Sequence, residues 1–329
     1  SSGRSWTNLK SRTPFIPDGS EKEAAFRRLC PARTRIWVRI TWPASRWNEN
    51  KMKRPLRIGM IRYLNCLPFY FELEKKCGEQ GLETSWMEAS PADLNRALAA
   101  GEIDLAPVSS MEYLLRQKDY FLLPGIGIGS DVFVRSVILF SKVPLNELNG
   151  ETIAVSRESL SSVTMLKILM KRRLGFKNEW VSVPQDIDDA FQRYQAALMI
   201  GDVALFYEPE NWVYKYDLGK LWREWTDTPF VFSLWTLRRD CALECGAELR
   251  KFCTLLKENR SRHLCEPERL LKNALGVMPD EKKFVSMLGY FVNLRYDLDE
   301  EMIRGLLRFY DLAFRENLAP EPKPLEFFE

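Results

Sequence analysis

The chain has 329 residues, 46% hydrophobic and 28% charged, a balance that suits a packed globular fold and excludes a chain too polar to build a core. Its net charge of +3 hides an imbalance: residues 1–54 hold 13 Lys/Arg against 4 Asp/Glu, and the remainder holds 35 against 41. The body is therefore mildly acidic, which argues against nucleic acid as a partner, and no apolar run reaches the roughly 18 residues a membrane-spanning helix needs.

Residues 1–51 are rich in Arg, Ser, Trp and Pro and show no sustained period. Their best apolar stretch, Ile36-Trp37-Val38-Arg39-Ile40, is short and interrupted by Arg39, unlike a secretory signal. The periodic pattern begins just after Met52. Residues 1–51 are thus expected to be an extension without a role in the fold, with a disordered basic arm as the alternative.

From there strand and helix signals alternate. Residues 57–61 read as a buried strand, and Pro68 then sits where a helix over 69–76 would start. Ser90-Pro91-Ala92-Asp93 is an N-cap pattern opening a helix over 94–100, which Gly101 closes. A strand over 103–108 ends on Ser109-Ser110, ahead of a helix over 111–117. The run Pro124-Gly125-Ile126-Gly127-Ile128-Gly129-Ser130-Asp131 has glycine spacing, but a strand over 134–141 follows where a dinucleotide fingerprint needs a helix. After a turn at 144–150 come a strand over 152–155, a serine-rich corner, a helix over 163–170, and the strand Ala196–Ile200 ending at Gly201-Asp202. A β-run over 230–237 precedes a helical pattern from 242 onward, clearest over 281–288 and Glu300–Arg315. The long strands 134–141 and 230–237 bracket the middle region. They predict an α/β chain of two lobes, 55–143 with 236–329 forming lobe I and 144–235 lobe II, with a ligand crevice between them.

Four strand ends carry polar groups where helices begin, and such corners bind anions in open α/β folds. Asn65 ends the first; its amide can donate and accept, or simply cap its own turn. Ser109 and Ser110 end the second. Ser159, Ser161 and Ser162 surround the helix start at 163, where hydroxyls and free amides form a cradle for a carboxylate or phosphate, one serine sufficing as a cap. Asp202 ends the last, either as an N-cap or as a group facing the crevice. The seven cysteines are scattered and read as reduced thiols of a cytoplasmic protein; Cys241 and Cys245 lack the close Cys/His partners of a zinc site. His263, the single histidine, lies in the charged stretch Arg260-Ser261-Arg262-His263-Leu264, reads as exposed, and stands outside every corner. No metal and no cofactor are expected. No corner supplies a strong general base, so the cleft is expected to bind and orient rather than abstract protons.

The stretches 57–68 (Arg57-Ile58-Gly59 through Tyr63-Leu64-Asn65 to Pro68), 101–113, 123–142, 143–162, 198–205 and 218–240 resemble the chorismate dehydratases of menaquinone biosynthesis by the futalosine pathway. The resemblance runs from about residue 55 to the C-terminus. It implies a two-lobed fold like that of type II periplasmic binding proteins, used as an enzyme that removes water from chorismate to give 3-[(1-carboxyvinyl)oxy]benzoate. By motif, Asn65 and Ser136 would stand beside the reacting ring carbon, while Ser109-Ser110 and Ser161-Ser162 would hold substrate carboxylates. The family usually has Gly-Pro where this chain has Val132-Phe133. Two other readings share the fold: a solute-binding protein that only captures a small carboxylate, and 1,4-dihydroxy-6-naphthoate synthase. The latter family opens with an SPCPNDTF-like segment and needs a crevice histidine, whereas this chain has YLNCLPFY.

Overall fold

Two β-sheets divide the chain, and the division falls earlier than the expected lobe boundary. A computed structural model describes residues 38–39, 54–208 and 212–328. The strands in chain order are β1 (Val38–Arg39), β2 (Leu56–Met60), β3 (Thr84–Glu88), β4 (Leu105–Ser109), β5 (Tyr120–Ser130), β6 (Val137–Ser141), β7 (Thr152–Ser156), β8 (Glu179–Val183), β9 (Ala196–Ile200), β10 (Tyr214–Asp217), β11 (Phe230–Arg238), β12 (Leu294–Arg295) and β13 (Leu325–Glu326). One sheet has the order β12-β5-β11-β4-β2-β3, the other β10-β6-β9-β7-β8. Since β6 pairs with β9 and β10, the chain has crossed to the second sheet by Val137, where the sequence pattern had kept 134–141 in lobe I. It returns before Phe230, so all of β11 belongs to the first sheet, paired with β4 and β5.

β4, β6 and β9 are buried at every position, as the continuous apolar runs Val137-Ile138-Leu139-Phe140 and Ala196-Ala197-Leu198-Met199-Ile200 require of strands covered on both faces. The glycine-spaced run is the second half of the long strand β5. A Cβ on Gly129 would meet the Met302 side chain and, at 2.5 Å, the Phe230 carbonyl, so glycine there serves close backbone approach within the sheet.

Helix Pro91–Ala100 starts as its sequence indicates, with Ser90 Oγ accepting from Asp93 N and Gly101 left-handed at φ 77°. The expected helix over 69–76 is instead a single turn, Leu67–Tyr70, and a separate helix, Leu73–Glu79, because Glu72 takes a left-handed φ of 60°. The segment with Val132-Phe133 needs no Gly-Pro: both side chains point outward, and the Asp217 carboxylate accepts from Val134 N (3.2 Å) and Arg135 N (2.7 Å), holding Arg135 at φ 63°. β1 pairs in parallel with β13, so residues expected to stand outside the fold contribute a short strand to it; the rest of 1–51 lies outside the described residues. None of the described helices is long and apolar enough to cross a membrane.

Candidate active site

A narrow cleft, partly open to solvent, lies where strand ends of both sheets converge. Ile61, Asn65, Ser109 and Phe232 line it from the first sheet, and Ser136, Glu158, Ser159 and Ser162 from the second. No Lys or Arg is among the lining residues, so an anion there would be held by hydroxyls, amides and helix N-termini.

Asn65 is carried by a 3₁₀ turn, Leu64–Cys66, that follows β2 directly. Its Oδ1 is buried without a hydrogen-bond partner, and its amide faces the Tyr290 hydroxyl. Tyr290 in turn donates to Ser136 Oγ (2.6 Å), joining Asn65 and Ser136 through one phenol on helix Glu281–Asn293. With an oxygen lone pair taken by Tyr290, Ser136 keeps its proton as a donor; the protein offers it only a long contact to Val134 O, 3.4 Å. The Ser136 carbonyl accepts from Gly201 N, fixing the backbone beside the end of β9.

The predicted serines separate into two groups. Ser109, Ser159 and Ser162 line the cleft. Ser159 also caps helix Leu160–Ile168, its Oγ accepting from Ser162 N. Ser110 and Ser161 lie behind the wall: Ser161 Oγ meets Ser109 Oγ (2.8 Å) and Ser110 Oγ (2.9 Å) and accepts from Met111 N, while Ser110 donates to Val231 O. These two fasten one sheet to the other. Asp202 is a correction. It occupies the first turn of helix Gly201–Phe206 without capping it and is absent from the cleft lining; its carboxylate accepts from Leu64 N at 3.1 Å, one residue before Asn65. Burial raises its carboxyl above the ordinary range, opposed by the Leu64 N–H and by Lys283.

Two cleft residues went unread in the sequence. Tyr63 donates to Glu158 across the cleft, and its ring lies against Gly201, where a Cβ would come within 2.8 Å. Burial, then the Glu158 contact, pushes the Tyr63 phenol well up. Glu158 puts a carboxylate in a cleft expected to have no candidate base; its place one residue before the Ser159 cap was the available signal. His263, expected exposed, is 6% exposed and outside the cleft. Among the described residues no cluster of His, Cys, Asp or Glu is arranged to hold a metal ion.

A family model described as menaquinone biosynthesis matches residues 56–315. A chorismate dehydratase of Thermus thermophilus is 32% identical over 294 residues, covering 82% of this chain and all of that one. Among solved structures, protein AF1704 of Archaeoglobus fulgidus superposes with a TM-score of 0.63 at 19% identity, over 80% of this chain and 98% of that one. The periplasmic aliphatic sulphonate-binding protein of Escherichia coli gives 0.58 at 20% identity, over 83% and 96%. At these identities the structural matches establish the two-lobed periplasmic-binding-protein fold.

Proposed function

The chain belongs to the menaquinone-biosynthesis family, and from that membership we propose that its cleft removes water from chorismate, making it a chorismate dehydratase that releases 3-[(1-carboxyvinyl)oxy]benzoate. The observation that carries the mechanism is the Asn65–Tyr290–Ser136 arrangement, which leaves an unpaired acceptor, Asn65 Oδ1, and an available donor, the Ser136 hydroxyl, in one cleft. A substrate hydroxyl needs that complement: one group to accept its proton and one to donate to its oxygen. We assign the C4 hydroxyl to this pair, and the two substrate carboxylates to the Ser109 wall and to the Ser159–Ser162 helix start.

The reaction then balances within the substrate. The C3 proton passes to a substrate carboxylate, the C3–H electron pair becomes a ring double bond, the C4–O bond breaks, and the departing hydroxide takes up that proton as water. Aromatisation supplies the driving force. The protein contributes orientation and hydrogen bonds to the charge growing on the leaving oxygen. In this reading the enzyme is a hydro-lyase, and the free state of the six described cysteines suits the cytoplasm.

The test is incubation of the purified protein with chorismate, following products by mass and ultraviolet absorbance. Loss of one water with a new benzoate chromophore is expected; chorismate bound and returned unchanged would make the chain a solute-binding protein instead. Asn65→Leu should cut kcat by about 100-fold or more while substrate affinity changes only a few-fold, the pattern of a contact realised in the transition state. Equal losses in affinity and kcat would remove Asn65 from that role.

A further inference from the structure

The turn that presents Asn65 is short and poorly supported by its own hydrogen bonds. Leu67–Tyr70 is one helical turn, followed by Phe71 in an extended conformation and left-handed Glu72, so its carbonyls have no continuing helix to accept from. One face of the long helix Gly246–Cys265 supplies the missing donors. Asn259 Nδ2 donates to both Phe69 O and Phe71 O, each at 2.8 Å, and His263 Nδ1 donates to Pro68 O at 3.0 Å. The two residues are four apart and both buried, 0% and 6% exposed. The remaining polar atoms are also committed: Asn259 Oδ1 accepts from Lys76 Nζ (2.5 Å), and His263 Nε2 faces Arg262 Nη2 (3.1 Å), which fits a neutral ring protonated at Nδ1. Tyr70 donates to Gly59 O, tying the same turn to β2.

We propose that Asn259 and His263 are positioning residues for the dehydration: they clamp three carbonyls of the turn after Asn65 and so set where its amide enters the cleft, without touching substrate. The proposal rests on Asn65 acting in turnover. A hydrogen-bonded amide must be placed to a fraction of an ångström for an effect confined to the transition state, and a one-turn helix without this clamp can rock about Pro68. The chain's one histidine thereby has a use, although it lies outside the cleft.

The experiment compares the parent, His263→Phe and His263→Asn, each alone and combined with Asn65→Leu. Phe keeps the ring that packs edge-on against Phe71, at 5.5 Å between centroids, and loses the donor; Asn restores a donor near the Nδ1 position. Expected are a fall in kcat of about tenfold for H263F with KM within about twofold, and recovery by H263N to within about threefold. In the N65L background H263F should add less than about twofold, because the residue it positions is already gone. An unchanged kcat, or a loss multiplying fully with that of N65L, would overturn the proposal and leave His263 a purely structural group. Should H263F not fold, Lys76→Met loosens the Asn259 end of the clamp from the surface and must show the same dependence on Asn65. Parent protein that fails to turn over chorismate would instead sink the dehydratase reading, and the clamp's role with it.

Discussion

At the scale of single residues, the cleft carries one carboxylate and no cation, which is unusual for the site of a dianionic substrate. Glu158 accepts from Tyr63 and stands beside the Ser159 and Ser162 positions assigned to a substrate carboxylate. Two like charges a few ångströms apart in a partly screened cleft repel by on the order of 1–4 kcal/mol. Glu158→Gln keeps an acceptor for the Tyr63 hydroxyl and removes the charge, so KM for chorismate should fall about fivefold at low salt. The gain should shrink as ionic strength rises. kcat should stay within a few-fold, because the proton is assigned to the substrate's own carboxylate. A loss of 100-fold or more in kcat would make Glu158 the base and overturn that assignment. Steady-state kinetics of E158Q at two salt concentrations read both outcomes.

The strands and helices show what the residue pattern could and could not reveal. Strand β9 ran where its apolar block Ala196–Ile200 indicated, and Ser90 and Gly101 bounded a helix as their types require, since these are local preferences. The break at Phe71–Glu72 was not legible, because Glu72 has no intrinsic taste for a positive φ and takes one where the distant Asn259 holds the Phe69 and Phe71 carbonyls. His263 was misjudged for a similar reason: its neighbours Arg260 and Arg262 suggested solvent, but only Arg262 is exposed, while Arg260 is buried with its guanidinium on Tyr296 O and the face of Asn259 and His263 is turned inward. Asp202 had the sequence of a cap and became a tie between elements, its carboxylate on Leu64 N. That tie makes a prediction with a definite sign. Burial raises the Asp202 carboxyl, so the native state holds its proton more tightly than the unfolded chain. The resulting stability is present below the unfolded value, about 3.9, and is lost as pH rises through the folded value. Asp202→Asn retains an acceptor for Leu64 N–H and removes the buried charge. Denaturant unfolding at pH 7 should find D202N at least as stable as the parent, the difference closing near pH 4. A D202N protein clearly less stable at pH 7 would show that the charge itself stabilises the tie.

Across the whole molecule, the two sheets are joined by chain at 131–136 and 227–229, by one continuous apolar core, and by polar links such as Lys171 and Arg172 to Glu316 and Arg135 to Ser286. Four polar ties around the cleft join them as well: Tyr63 to Glu158, Leu64 N to Asp202, Met111 N and Ser109 to Ser161, and Tyr290 to Ser136. Each neutral tie at the cleft contributes on the order of 1 kcal/mol, little enough to open locally while the shared core holds. In the proposed reading chorismate reaches Asn65 and Ser136 when these ties open, and a ligand bridging Ser109 to Ser162 would favour the closed form by its differential affinity. Two of the ties use backbone N–H groups, so opening can be read directly by amide hydrogen exchange. Leu64 and Met111 are donors across the cleft, whereas Leu198 in β9 bonds within its own sheet. Saturation with the stable product 3-[(1-carboxyvinyl)oxy]benzoate should slow exchange at Leu64 and Met111 by about tenfold or more and leave Leu198 unchanged. Equal slowing at all three positions would mean that the ligand stabilises against global unfolding alone. No change at Leu64 and Met111 would mean that the lobes do not part at these ties, and that substrate enters by another route.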